Sequence, residues 1–186
     1  MKNTKNMVTT AILTAMVIIL QLLGSFIKFG PFSISLVLMP IVLGAALCGT
    51  KSAGWLGFVF GIIVLMRDAG LFLAVSVWGT VLTVLAKGIA CGLVAGICYN
   101  ALKKISVTFA VFVASLVCPI VNTGIFLIGC GLFFMPLIGE WAAAAGSAVL
   151  PYMLVSFVGA NFVLEVVINV VFCPIIIRLL NAVKKA

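Results

Sequence analysis

Apolar residues fill long unbroken stretches of this chain, and most of the charges sit in the short segments between them. At about 20 helical residues per crossing of the hydrocarbon layer, the pattern predicts six spans. They run from about Met7 to Ile27, Ser33 to Gly49, Ser52 to Met66, Trp78 to Asn100, Val107 to Phe134 and Pro151 to Leu180. Only Gly49-Thr50-Lys51-Ser52 separates the short second and third spans, which should form a tight helical hairpin. The fifth and sixth are long enough to tilt or to end in extramembrane turns. Lys2 and Lys5 precede the first span as they would a secretory signal. Its apolar run is longer than a signal core and no small-residue cleavage site closes it, so it reads as a true helix.

Composition removes the soluble alternatives. Hydrophobic residues make up 66% of the 186 and charged residues 8%, whereas soluble domains are about half apolar and about a quarter charged. The net charge of +8 comes from 11 basic residues against three acids. The basic residues form no stripe interleaved with aromatics, as a nucleic-acid surface would. With six spans, Lys2, Lys5, Lys51, Lys103, Lys104, Arg178, Lys184 and Lys185 fall on the side of the termini, Lys28 and Arg67 fall opposite, and Lys87 lies within a span. The positive-inside rule then places both termini in the cytoplasm. The expected fold is an all-α membrane protein, a compact bundle of six transmembrane helices with cytoplasmic N- and C-termini, with residues 1–186 forming a single domain.

No cofactor or metal site is expected. Histidine is absent, which removes the usual ligand of haem, zinc and non-haem iron. Cys48, Cys91, Cys98, Cys118, Cys130 and Cys173 all lie in apolar runs without a CxxC pair and read as small packing residues. The stretch from Gly44 to Gly49-Thr50-Lys51-Ser52 is one residue out of register with a phosphate-binding loop and sits in a span, so no nucleotide site is read there. Gly57-xxx-Gly61 and Gly88-xxx-Gly92-xxx-Gly96 put small residues on one helix face, where two backbones approach closely.

Polar residues within spans are the candidate chemistry. Lys87 lies about 13 Å beyond Trp78 along its helix, and an unpaired lysine near mid-membrane costs about 3 kcal/mol or more. It requires an acid, carbonyls, water or a ligand. Glu165 is the sole acid within a span; Asn161, Glu165 and Asn169 recur every four residues and share a helix face, and Asn122 lies at comparable depth. Two readings stay open: Lys87 and Glu165 as a buried structural pair bridged by asparagines, or the same cluster as the floor of a ligand pocket. In the opposite loops, Phe32 (within Phe29-Gly30-Pro31-Phe32), Arg67, Trp78 and Glu140-Trp141 suit either an interfacial aromatic belt or an apolar pocket rim. The Gly70–Ser76 segment is apolar enough to fold back as a lid.

In Ala11-xxx-Ala15 of the first helix, Ser33 to Ala45 with Pro40 and Gly44, and Lys87-Gly88 with Gly92 and Gly96, the chain resembles the S-components of energy-coupling factor (ECF) importers. The resemblance extends over nearly the whole length. It implies a non-enzymatic subunit in the bacterial plasma membrane that binds a vitamin or related nutrient at the outer face. Its implied partners are a transmembrane coupling subunit, docked at Ala11 and Ala15, and two cytoplasmic ATPases. The candidate substrate-binding residues, taken from the polar cluster and the opposite loops, are Lys87, Asn122, Asn161, Glu165, Trp78, Arg67 and Phe32. Lys87 favours an anionic ligand such as pantothenate, folate or a lipoate-like acid; a neutral ring such as riboflavin stays open, because Glu165 could neutralise the lysine. Against an integral-membrane enzyme stands the scarcity of acid–base groups; against a secondary transporter, the lack of inverted repeats. A scaffold subunit without ligand remains the other alternative.

Overall fold

A computed structural model describes residues 2–26, 28, 29, 32, 33 and 35–185, with side chains within residues 4–26, 35–156, 158, 159 and 161–182. In chain order these form α1 (Lys2–Gly24), the two-residue strands β1 (Lys28–Phe29) and β2 (Phe32–Ser33), α2 (Leu38–Cys48), α3 (Thr50–Arg67) and α4 (Gly70–Val75). The long helices α5 (Val77–Leu102) and α6 (Val107–Phe133) follow, then α7 (Met135–Ala144), the single turn α8 (Val149–Pro151), a π-helical turn over Tyr152–Phe157, and α9 (Gly159–Lys185).

Among the described residues, five segments are long and apolar enough to cross a membrane: Thr4–Gly24, Thr50–Arg67, Val77–Leu102, Val107–Phe133 and the composite Val149–Ala182. The second expected span differs. Its helix is only the 11 residues of α2, about 16 Å long. Ser33, where that expected span begins, instead closes an antiparallel hairpin, with Phe29 opposite Phe32 and Lys28 opposite Ser33. Leu38, Ile41 and Val42 of α2 are fully buried. Its apolar surface is covered by protein, for α2 packs on α1, α3, α5, α6 and α9.

The turn into α3 is Gly49 alone, at φ 92, a left-handed backbone that a side chain would strain. The abortive phosphate-loop pattern is therefore a helical hairpin. At the same end of the bundle Asn100 Nδ2 donates to Thr50 Oγ1 at 3.0 Å, and Thr10 Oγ1 to Ser52 Oγ at 3.2 Å. Lipid gives apolar helices no hydrophobic reason to associate, so close contact and hydrogen bonds must hold them. The glycine runs supply the contact. Gly88 faces Gly57, Gly92 faces Ala53 and Gly96 faces Thr50 along the α3–α5 seam.

The loops opposite the termini are structured. Ser76 caps α5 by accepting from the Gly79 N–H at 3.2 Å, and α4 turns Phe72 inward. The α7 helix, which the hydropathy pattern leaves as loop, buries Ile138 and Ala142, the former in a cluster with Phe134, Cys130 and Met153. Proline on its first turn favours this start: Pro136 follows Met135, where no intrahelical N–H is needed.

Candidate functional site

Gln21 near the end of α1, Val64 and Asp68 at the end of α3, Thr80 at the start of α5, Phe134 after α6 and Asn161 at the start of α9 all line one cavity. Those helix ends all lie away from the chain termini, so the cavity occupies the opposite end of the bundle. It holds about 730 Å³ of empty space, its open mouth included, within the range of small-molecule sites. Phe72 from α4 closes part of its wall, with ring centroids 5.0 Å from Phe134 and 5.7 Å from Phe126.

The structure brings Lys87, Asn122, Asn161 and Glu165 together on this wall. Glu165 is 1% exposed and anchors a set of amides. Asn161 Nδ2 donates to its Oε1 at 3.0 Å and Asn122 Nδ2 to its Oε2 at 3.3 Å, while Asn169 Nδ2 donates to its main-chain carbonyl at 2.9 Å. The four-residue recurrence of Asn161, Glu165 and Asn169 thus works within α9 as a ladder, and Asn122 joins it from α6. Pro119, one turn before Asn122, lacks the N–H that would close the ladder to Ser115. The π-helical turn ahead of α9 offsets the helix register just before Val158 and Asn161; such turns recur at functional sites.

Lys87 takes a different partner from the acid the sequence suggested. Among the described residues it forms no ion pair with Glu165 and no hydrogen bond. Its Nζ lies 5.0 Å from the centroid of the Phe126 ring and 5.6 Å from that of Phe60. Ammonium over aromatic faces is attractive by about 0.5–2 kcal/mol, and both rings also keep lipid away. Among the described residues no carboxylate bonds the ammonium directly, and it keeps its three donors.

A second acid contributes that the span-by-span reading placed only in a loop. Asp68 lines the cavity, and its Oδ2 accepts from Gln21 Nε2 and Ser25 Oγ, both at 2.9 Å. Gln21 is fully buried. Its place inside an apolar first helix was the available signal, because a buried amide needs partners. Ser35, Thr83 and Thr123 complete the polar lining.

Two expected site residues, Arg67 and Trp78, stand apart from the cavity, and the side chain of a third, Phe32, lies outside the described residues. Arg67 points to the surface while its neighbour Asp68 lines the cavity, as one residue step, about 100° around a helix, dictates. Trp78 is 79% exposed and lies on the outer face of α5, in keeping with an interfacial ring. The Phe32 backbone lies in β2, and its side chain is outside the described residues, as are Gly30 and Pro31 of the same loop. At the other end of the molecule Ala11 and Ala15 are exposed on α1. Met7, Val8, Ile12 and Ile19 are exposed around them, and Ala11 borders a groove shared with Lys51 and Trp55.

Two comparisons, with curated proteins and with solved structures, give no match. A protein-family model does: the one described as "ECF transporter, substrate-specific component" matches residues 5–177. With nearly the whole chain covered, the protein belongs to the substrate-specific components of energy-coupling factor transporters.

Proposed function

We propose that this protein is the nutrient-capturing subunit of an ECF-type importer in a bacterial plasma membrane, and that the cavity lined by Lys87, Asn122, Asn161 and Glu165 is its substrate site. One observation carries the reading: a cavity inside a membrane bundle joins a lysine, two acids and several amides. Intramembrane ionisable groups are costly and mark binding sites and pathways by default. Polar groups converging in an otherwise apolar cleft are what a small-molecule site needs.

In this reading the termini are cytoplasmic and the cavity receives its ligand from outside. Lys87 meets an anionic group of a vitamin or related nutrient, pantothenate, folate and lipoate-like acids being the candidates. A transmembrane coupling subunit docks on α1, where Ala11 and Ala15 let a partner helix come close, and two cytoplasmic ATPases supply the energy. The family membership supports both the transport role and the partnership.

A thermal-shift screen of the purified, detergent-solubilised chain against water-soluble vitamins tests the proposal. A true ligand at 100 times its dissociation constant stabilises the fold by about 2.7 kcal/mol. Folded protein that no compound stabilises, and that co-purifies with no coupling module, would remove the proposal.

A further inference from the structure

We infer that the ligand of this cavity is bipolar, carrying both an anionic group for Lys87 and N–H or O–H donors for the amide carbonyls of Gln21, Asn122 and Asn161. The inference rests on the cavity being the substrate site, and deepens that proposal by naming the ligand's second half.

The donor requirement follows from how the two acids use their neighbours. A carboxylate can only accept hydrogen bonds, so each amide beside one must turn its NH₂ toward it. Asn122 and Asn161 do so at Glu165, and Gln21 does so at Asp68. The opposite atoms of these amides are then fixed as acceptors. Among the described residues, Gln21 Oε1, Asn122 Oδ1 and Asn161 Oδ1 have no hydrogen-bond partner. Gln21 and Asn122 are at least nine-tenths buried, at 0% and 4% exposure, where an unsatisfied carbonyl is expensive. All three residues line the cavity, as does Thr83, whose Oγ1 is likewise unpartnered among the described residues.

Glu165 therefore does not offer itself as a counter-charge for a cationic ligand, and Asp68 spends its Oδ2 on Gln21 and Ser25. Glu165 already accepts at both oxygens, and its negative charge is relayed through two amides as a pair of neutral acceptors. Lys87 supplies the complementary deficit, a cation with donors unspent. A neutral ring would leave Lys87 without an acceptor. An acid lacking N–H or O–H donors would leave the amide carbonyls empty. Only a ligand with both features completes the lining.

Calorimetric titration of the full-length protein in detergent distinguishes the classes with pantothenate and folate (acid plus donors), lipoate (acid without a donor edge), and riboflavin and panthenol (donors without the acid). The expected result is that pantothenate or folate binds at least tenfold more tightly than lipoate, riboflavin and panthenol. Lys87→Met and Asn161→Leu should each weaken that binding at least tenfold, with Lys87→Arg restoring part of it. The pantothenate–panthenol pair differs only at the acid and needs no variant, so a misfolded substitution does not blunt the test. If lipoate, riboflavin or panthenol binds as tightly, and Asn161→Trp removes that binding, the bipolar class is wrong while the substrate site stands. Binding indifferent to every cavity substitution overturns both, as does folded protein that binds none of these probes, is stabilised by no other vitamin and co-purifies with no coupling module.

Discussion

Gly57 and Gly88 meet backbone to backbone: a Cβ on Gly57 would lie 1.9 Å from the Gly88 carbonyl oxygen, and one on Gly88 would lie 2.4 Å from that of Gly57. Neither obstacle is a flexible side chain, so a methyl group at either position must push the α3 and α5 axes apart. The same seam brings Gly92 onto Ala53 and Gly96 onto Thr50, and it holds Lys87, next to Gly88, against the cavity. Gly88→Ala should therefore lower stability by about 1–3 kcal/mol, the usual cost of overpacking. Gly124→Ala, with nothing within 4 Å of the added carbon, should show no loss. Thermal unfolding of the two variants in the same detergent checks the contrast; equal midpoints would mean that the seam yields freely.

Glu165 separates stability from recognition. Glu165→Leu leaves the amide N–H groups of Asn122 and Asn161 without an acceptor, at about 1–3 kcal/mol for each buried donor. Glu165→Gln keeps the shape and one acceptor oxygen, while its own NH₂ now faces one of the asparagines. That asparagine turns over to accept, so stability falls by no more than about 1 kcal/mol. The turned amide presents its NH₂ where it had presented a carbonyl. Ligand affinity should consequently drop about tenfold in Glu165→Gln although the fold survives. Unfolding and titration on one preparation read both quantities, and full affinity in Glu165→Gln would deny the amides their recognition role.

The hydropathy pattern made the bundle legible because a span is a length of uninterrupted apolar chain, and five spans emerge within a few residues of the expected ends. It overextended α2, since burial among five helices removes the lipid-facing constraint on length and the preceding residues are free to form a hairpin. The polar cluster was readable for a related reason: Lys87, Glu165, Asn122 and Asn161 stand out against apolar neighbours. Their partners were not. Phe60 and Phe126, which flank Lys87, look like any lipid-facing aromatic until the helices are placed. Arg67 and Asp68 are adjacent in the chain, and only the helix phase at the end of α3 decides which one reaches the cavity. Arg67→Ala and Trp78→Ala should accordingly change ligand affinity by less than about twofold, within the ±0.5 kcal/mol typical of exposed sites. A tenfold loss in either variant would return that residue to the site.

Phe72 connects the short α4 helix to the cavity wall. Its ring meets Phe134 and Phe126 edge-on, and Trp141 of α7 lies 6.2 Å away in the same orientation. Edge-to-face aromatic pairs contribute about 0.5–1.5 kcal/mol each beyond area burial. A six-residue helix has little else to hold it, for Phe72 is the buried residue of α4. Phe72→Ala should free α4 and speed ligand dissociation by about tenfold while association changes little, since affinity differences within one site lie mostly in the off-rate. Stopped-flow or surface-based kinetics gives both constants. An unchanged off-rate would make α4 a passive cover.

The exposed face of α1 makes a prediction that leaves the cavity untouched. Ala11 and Ala15 are exposed one turn apart, and Met7, Val8 and Ile12 beside them are 74%, 55% and 58% exposed. Lipid tolerates such a face, so exposure alone does not require a protein partner. The pair of alanines does more: with no bulk beyond Cβ, they leave room for a second helix to approach to backbone distance. Tryptophan at either position would fill that space and push the partner away, whereas the same residue facing lipid costs the bundle little. Ala11→Trp and Ala15→Trp should therefore abolish uptake in cells that carry the coupling module, while the purified variants bind ligand with unchanged affinity. Ala144→Trp, exposed on α7 at the opposite end of the molecule, is the control for an added indole and should transport normally. Uptake at the parental rate in both α1 variants would move the docking surface elsewhere on the bundle. Loss of ligand binding together with uptake would show that α1 carries strain into the cavity through Gln21, six residues along the same helix from Ala15.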